Sequence, residues 1–321
     1  MSQKTTTSFN AATKQQALLE LDQYAASSAY SGLHDWDTTR KDSLLVVKGS
    51  VTRTEPVESV FVGMVGSDRQ QLGRQGNFNT KYPDNLPKAK FQLIVTQPQR
   101  VELFDRDYLK AISSLEAAMN TVAKTSKREH FILPGNWISL NFPLFEERTP
   151  ESDADQDVVD ATAGYSVASE YANFWDTAKE KFHCRILDVF DINDERIDPK
   201  DFAHKLRAGT LVEVSFHLYH YPIGKQDAWT SDTFSAHLTQ ISILKEAPPV
   251  VASPYKKAAR RPPYTPQSPS TRREMSVSSQ VFLSKGAGKR RHDEVDTEGG
   301  TKLNEPVKKI AHTDSEIDDD E

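Results

Sequence analysis

The chain contains a single cysteine, Cys184, and no apolar run approaching the ~18 residues that a membrane helix needs. The first absence excludes an internal disulfide framework and predicts a reducing compartment. The second predicts a protein with no membrane partner. The opening MSQKTTTSFNAATKQQ lacks the apolar centre of a secretory signal and the arginines of a mitochondrial presequence. Catalytic signatures are missing as well: there is no Cys-x-x-Cys, no H-E-x-x-H and no G-x-S-x-G. Gly286-Ala287-Gly288-Lys289-Arg290 resembles a phosphate loop, but Leu283 and Arg290 stand where that loop needs glycine and Ser/Thr.

Other pairs of reactive residue types have plain explanations. His217 and His220 are three apart on a strand and point to opposite faces, which argues against a shared metal. His183 and Cys184 are neighbours and diverge for the same reason, so Cys184 reads as a small buried hydrophobe. Asp191 and Asp194 sit in turn-forming sequence, where aspartate closes local hydrogen bonds. The expectation is a non-enzymatic protein without metal or cofactor.

Apolar residues make up only 37% of the chain and charged residues 27%, so part of it is predicted to be disordered. The net charge of −6 is unevenly spread. Residues 252–291 carry ten Lys/Arg against one acid, Glu274, and residues 292–321 carry eleven acids against three lysines. Outside the acidic stretch 146–160, the first 251 residues are close to neutral. A chain of this kind divides into an N-terminal tail with a short helix (1–40), a folded domain (41–246) and a basic-then-acidic tail (247–321).

Within the domain, Ala17, Leu18, Leu21 and Tyr24 predict a helix over 14–26. LLVVKGSV and SVFVGMVG read as the first two strands with a turn at Glu55-Pro56, and Gly63 and Gly66 mark a bulge or bend. KFQLIVT (90–96) is a third strand. Tyr108, Ile112, Leu115, Met119 and Val122 recur at helical spacing behind Asp105, which reads as the N-cap of a helix over 106–125. Short apolar runs follow at Phe131–Leu133 and Trp137–Phe142. The acidic segment 146–160 reads as a mobile loop. Ala168, Tyr171, Trp175, Ala178 and Phe182 have helical spacing, 183–190 reads as one strand, and Asp198-Pro199 opens a short helix as N-cap and first residue.

The remaining stretch, Gly209 to Leu244, organises the rest. Val212, Val214, Phe216 and Leu218 alternate along one run, and Phe234, Ala236 and Leu238 along a second. The opposite faces carry Glu213, Ser215, His217, Tyr219 and Tyr221, with Thr233, Ser235 and His237. Apolar parity then shifts to Ile241 and Ile243, which predicts a β-bulge near Thr239 or Gln240. A polar loop bearing Lys225 and Trp229 joins the two runs. The fold class is mainly β with inserted helices, an OB-like antiparallel barrel that presents a Tyr/His face.

Such a face suits single-stranded nucleic acid, because each base stacked on an aromatic ring contributes ~1–3 kcal/mol without sequence readout. Tyr219, Tyr221 and Trp229 are the candidate platform, and Lys225, Arg74 and Lys81 the candidate phosphate contacts. Packing across the sheet is the competing explanation for these tyrosines. The hairpin resembles the closing strands of phage-type single-stranded DNA-binding proteins. It carries their pattern at Gly209, Val212, Val214, Phe216, Leu218 and Tyr221, then at Leu238, Ile241, Ile243 and Leu244. The resemblance implies an OB-type fold and an acidic C-terminal segment that recruits partners and competes with DNA. This chain ends DSEIDDDE, with Glu321 where the family has an aromatic residue.

In the tail, Lys256, Lys257, Arg260 and Arg261, then Lys289, Arg290 and Arg291, form basic clusters suited to nuclear import and phosphate contact. Ser253-Pro254, Thr265-Pro266 and Ser268-Pro269 are candidate phosphorylation sites beside the first cluster. The expected function is nuclear binding of single-stranded DNA or RNA, with protein partners on the acidic end. The alternative is a nuclear adaptor or histone-binding factor acting through its acidic segments.

Overall fold

A computed structural model describes residues 9–39, 43–48, 56–225 and 228–249. The basic clusters, the candidate phosphorylation sites and the acidic end lie outside the described residues. Asn10 accepts the backbone N–H groups of Ala12 and Thr13 and so caps helix α1 (Ala11–Leu19). This helix ends earlier than its apolar spacing predicted. Tyr24, beyond its end, is buried by donating its hydroxyl to Asp107 at 3.0 Å.

A single turn, α2 (Tyr30–Leu33), leads into β1 (His34–Asp37), which pairs antiparallel with β2 (Ser43–Val47). Strands β3 (Ser59–Val65) and β4 (Lys90–Thr96) fall where the β-branched runs placed them. Helix α3 (Glu102–Val122) buries Tyr108, Ile112, Leu115, Met119 and Val122 along one stripe. Val101, not Asp105, is its N-cap. Asp105 lies inside the first turn, where the helix dipole favours a carboxylate, and it accepts Gln97 Nε2 at 2.8 Å.

Two short strands, β5 (Arg128–Glu129) and β6 (Ile132–Leu133), precede β7 (Trp137–Pro143). The acidic segment is ordered, contrary to the loop expected of it. It comprises β8 (Phe145–Glu147), α4 (Pro150–Ala154) and α5 (Gln156–Gly164). Capping explains the difference. Thr149 and Ser152 form a capping box with Pro150 at the first helical position, and Asp155 accepts the N–H groups of Asp157 and Val158. Acids crowded into first turns stabilise these helices through the dipole.

The next helical pattern is realised only in its centre, as a 3₁₀ turn (Ser169–Tyr171) and α6 (Ala172–Ala178). The expected single strand at 183–190 divides into β9 (Phe182–Cys184), which pairs with β8, and β10 (Asp188–Phe190). Asp198 caps a 3₁₀ turn that continues into α7 (Phe202–Lys205), as its sequence predicted.

The hairpin β11 (Leu211–Lys225) and β12 (Ala228–Lys245) is longer than expected. Lys225 and Trp229 therefore belong to the strands, paired with Ala228 and Gly224, and not to a polar loop. The predicted bulge is present. Ser215 pairs with Gln240 and Phe216 with Leu238, which leaves Thr239 over and moves the buried parity to Ile241 and Ile243.

Backbone pairing runs from β3 to β4, β7, β12 and β11, then from β11 back to β3. Direction alternates around this circuit except at β7–β12, which are parallel at Leu140–Ala236 and Asn141–His237. A ring of five strands cannot alternate throughout, so the expectation of a wholly antiparallel sheet fails at one junction. Strands β1 and β2 extend the sheet from the far part of β11, and β10 pairs parallel with β12.

Val212, Val214, Phe216 and Leu218 have no exposed surface inside this circuit. Helix α3 lies against β3, where Tyr108 donates to the backbone oxygens of Val95 and Asn136. Gly63 makes that approach possible. A Cβ at this position would stand 2.3 Å from Val95 Cγ1 and 3.1 Å from Tyr108 Cε2. The glycine serves close packing rather than the expected bend.

Candidate nucleic-acid interface

With the apolar parity of β11 turned inward, Glu213, His217, Tyr219 and Tyr221 come to the outer face, each partly exposed. Tyr219 and Tyr221 are two residues apart, so their rings share that face. Their centroids are 6.2 Å apart and their planes 14° from parallel. Across the ribbon His217 is opposite His237, whose ring centroid lies 4.6 Å from that of Tyr219. Tyr221, Tyr219 and His237 thus form a continuous outer strip, with His217 beside its end.

The strip forms one wall of a cleft of about 590 Å³ through His217, Tyr219 and His237. The insert α4–α5 supplies Glu151, Asp155 and Asp157 to the other side, and Arg185 and Arg196 also line the space. Burial is the main cause that holds His237 down to about 4, with the positive charges of Lys90 and Arg185 adding to it. His217 is lowered too, again by burial first, with Glu58 opposing and Arg185 assisting. His237 is therefore neutral at physiological pH and adds an uncharged ring to the strip.

The other expected residues lie elsewhere. Trp229 is half-buried near the hairpin tip, four residues along β12 from the partner of Tyr221 or roughly 13 Å at strand rise. Lys225 is exposed at the same tip. Arg74 is tied down: it pairs with Asp198 at 3.1 Å and donates to the backbone oxygen and hydroxyl of Ser166. Lys81 is exposed in the turn before Pro83–Lys88. The fold thus brings Tyr219 and Tyr221 together, with Tyr219 lining the cleft, and leaves Trp229, Lys225, Arg74 and Lys81 outside it.

Arg185 and Arg196 were not visible as site residues in the sequence. The guanidinium of Arg185 lies 4.9 Å from the Phe142 ring centre, with Glu146 at 3.5 Å from its Nε. Arg196 pairs with Asp188 at 2.7 Å. No sequence signal marks either arginine, because the cleft gathers residues from positions 142 to 239.

Two clusters resemble catalytic sets. Ser43, His220 and Asp232 form a chain in which His220 Nδ1 lies 3.4 Å from Ser43 Oγ and Nε2 lies 2.7 Å from Asp232 Oδ1. All three are buried, and Phe234 stacks on the imidazole. His183 is held between Thr162 at 3.2 Å and Asp153 at 2.8 Å, while Cys184 is buried and its thiol is pushed up, chiefly by that burial. His183 and Cys184 do border the cleft, but only 1% and 3% of their surface is exposed. Among the described residues no group of three His, Cys, Asp or Glu could hold a metal ion, and no helix is long and apolar enough to cross a membrane.

No protein-family model matches the chain, and no curated protein matches it. Solved structures resemble it at low identity. The single-stranded DNA-binding protein from bacteriophage Enc34 is 10% identical, with a TM-score of 0.33 over 69% of this chain and 94% of its own. The single-stranded DNA-binding protein gp2.5 of bacteriophage T7 has the same identity and score over 60% and 93%. These are proteins of the type that the hairpin pattern resembles.

Proposed function

We propose that the chain binds single-stranded nucleic acid, DNA or RNA, on the outer face of the β11–β12 hairpin. One observation carries the reading: Tyr219 and Tyr221 hold nearly parallel, partly exposed rings 6.2 Å apart on a strand fixed by pairing on both sides. Bases stack on such rings without sequence readout. The neutral imidazole of His237 extends the platform. In this reading the five-strand circuit is an OB-like barrel, and the basic clusters at Lys256–Arg261 and Lys289–Arg291 add phosphate contacts and direct the protein to the nucleus. The acidic end serves protein partners. Nothing in this activity requires bond-making chemistry.

Fluorescence anisotropy with a labelled oligonucleotide tests the reading. Binding that weakens with salt and falls in Tyr219→Ala supports it, and binding indifferent to both overturns it. Glu151, Asp155 and Asp157 on the facing wall favour a second reading, an adaptor for a basic partner such as a histone. Arginine stacks on tyrosine and pairs with carboxylates, so that cleft chemistry suits it. Capture of a histone-tail peptide without capture of oligonucleotide would select this alternative.

A further inference from the structure

We infer that Arg185 is the phosphate contact of this interface, and that the acidic wall beside it competes with nucleic acid for that contact, Glu146 directly. This rests on the nucleic-acid reading above. Both arginines in the cleft are about half exposed, Arg196 at 56% and Arg185 at 43%, so the ion pairs decide: Arg196 is held by Asp188 at 2.7 Å, whereas Glu146 stands 3.5 Å from Arg185 Nε. The Phe142 ring under its guanidinium fixes where that charge points. Its positive charge also bears on His217 and His237, so it stands beside the stacking strip. A strand laid on Tyr219 has to carry its phosphates past this group.

The opposing carboxylates make a poor environment for a polyanion, and the insert that bears most of them is lightly anchored. Helix α4 has no buried residue and α5 has one, Thr162. Polar contacts hold the pair in place: Asp153 meets His183 at 2.8 Å and Arg148 at 2.7 Å, and Thr162 meets His183 at 3.2 Å. Segments with so little apolar burial open at low cost. Arriving phosphate thus displaces Glu146 of β8 from Arg185 while the insert's carboxylates recede, which makes Glu146 the direct rival for that arginine and the insert a repulsive wall beside it.

The test is a salt titration of oligonucleotide binding by the full chain and its variants. Each phosphate contact on a single strand contributes about 0.7 to the log–log salt slope. Arg185→Ala is expected to reduce the slope by that amount and to weaken binding several-fold at low salt, while Arg185→Lys keeps the slope. Glu146→Gln, and separately the combination Glu151→Gln, Asp155→Asn and Asp157→Asn, are expected to tighten binding several-fold. Asparagine at 155 preserves the helix cap. Loss of affinity in Tyr219→Ala with an unchanged slope in Arg185→Ala overturns the inference and leaves the stacking platform standing. Unaltered affinity in both neutralised variants overturns the competition. Binding by a neutralised variant but not by the natural chain supports it, and binding by neither removes the platform and the inference together.

Discussion

His220 Nε2 and Asp232 Oδ1 are 2.7 Å apart across the hairpin, and neither side chain has exposed surface. Asp232 also accepts the N–H groups of Lys124 and Thr125 and the Thr125 hydroxyl. One carboxylate thus ties the end of α3 to the ribbon that carries the tyrosines. Replacing Asp232 by alanine strands several buried donors and should cost ~3–5 kcal/mol, read from urea unfolding. A loss below ~1 kcal/mol would show that the pair is incidental.

The same carboxylate should set an acid limit. Burial alone would raise its pKa, but the bonds from His220, Thr125 and Lys124 outweigh that and bring it to about 2. Its folded value is below the unfolded one of ~3.9, so the contribution is complete above that pH and is lost as pH falls toward 2. The free energy of unfolding should fall as pH drops from ~5 to ~2 in the natural chain and fall less in Asp232→Asn.

His237 supplies a second dependence at higher pH. Its folded pKa, about 4, is below the ordinary histidine value of 6.5, chiefly through burial. The neutral ring is the form the fold accommodates, so its contribution is full above ~6.5 and declines as the solution is acidified toward ~4. His237→Gln should remove part of that decline. A titration of its ring protons by NMR that centred near ~6.5 would contradict the assignment.

Truncating the rings separates platform from packing. Tyr219→Ala and Tyr221→Ala should each weaken oligonucleotide binding by ~1–3 kcal/mol if bases stack there. Phenylalanine at either position should retain most of the affinity, because the ring face and not the hydroxyl carries the contact. Equal melting temperatures would assign any loss in alanine variants to binding.

At Gly63 the expected effect is on the fold alone. A methyl group there meets Val95 at 2.3 Å and the Tyr108 ring at 3.1 Å. Gly63→Ala should therefore destabilise by ~1–3 kcal/mol, the cost of overpacking, as helix α3 is pushed from the sheet. A thermal melt unchanged by the substitution would mean that the helix yields freely.

The hairpin was legible because a two-residue period survives in plain text, and the slip of parity from Leu238 to Ile241 announced the bulge at Thr239. By the same parity His220 falls with Leu218 on the inner side and Asp232 with Phe234, so their burial was foreshadowed although their pairing was not. The acidic insert misled because its acids read as solvated loop, while the capping bonds of Thr149 and Asp155 decide the matter over three residues each. The cleft was illegible for a different reason. It is assembled from β7, β8, the insert, β9 and the hairpin, and no local pattern records that Arg185 and Tyr219 line one space.

The five-strand ring has a consequence for how many copies can crowd together. Its central strands spend their amide and carbonyl groups on one another, so the body of the sheet offers a stranger no docking rail. Among the described strands, the sheet's outer members β1 and β10 span only four and three residues. Molecules ranged side by side along a common polymer would thus meet through loops and side chains, and density alone would not seed fibres.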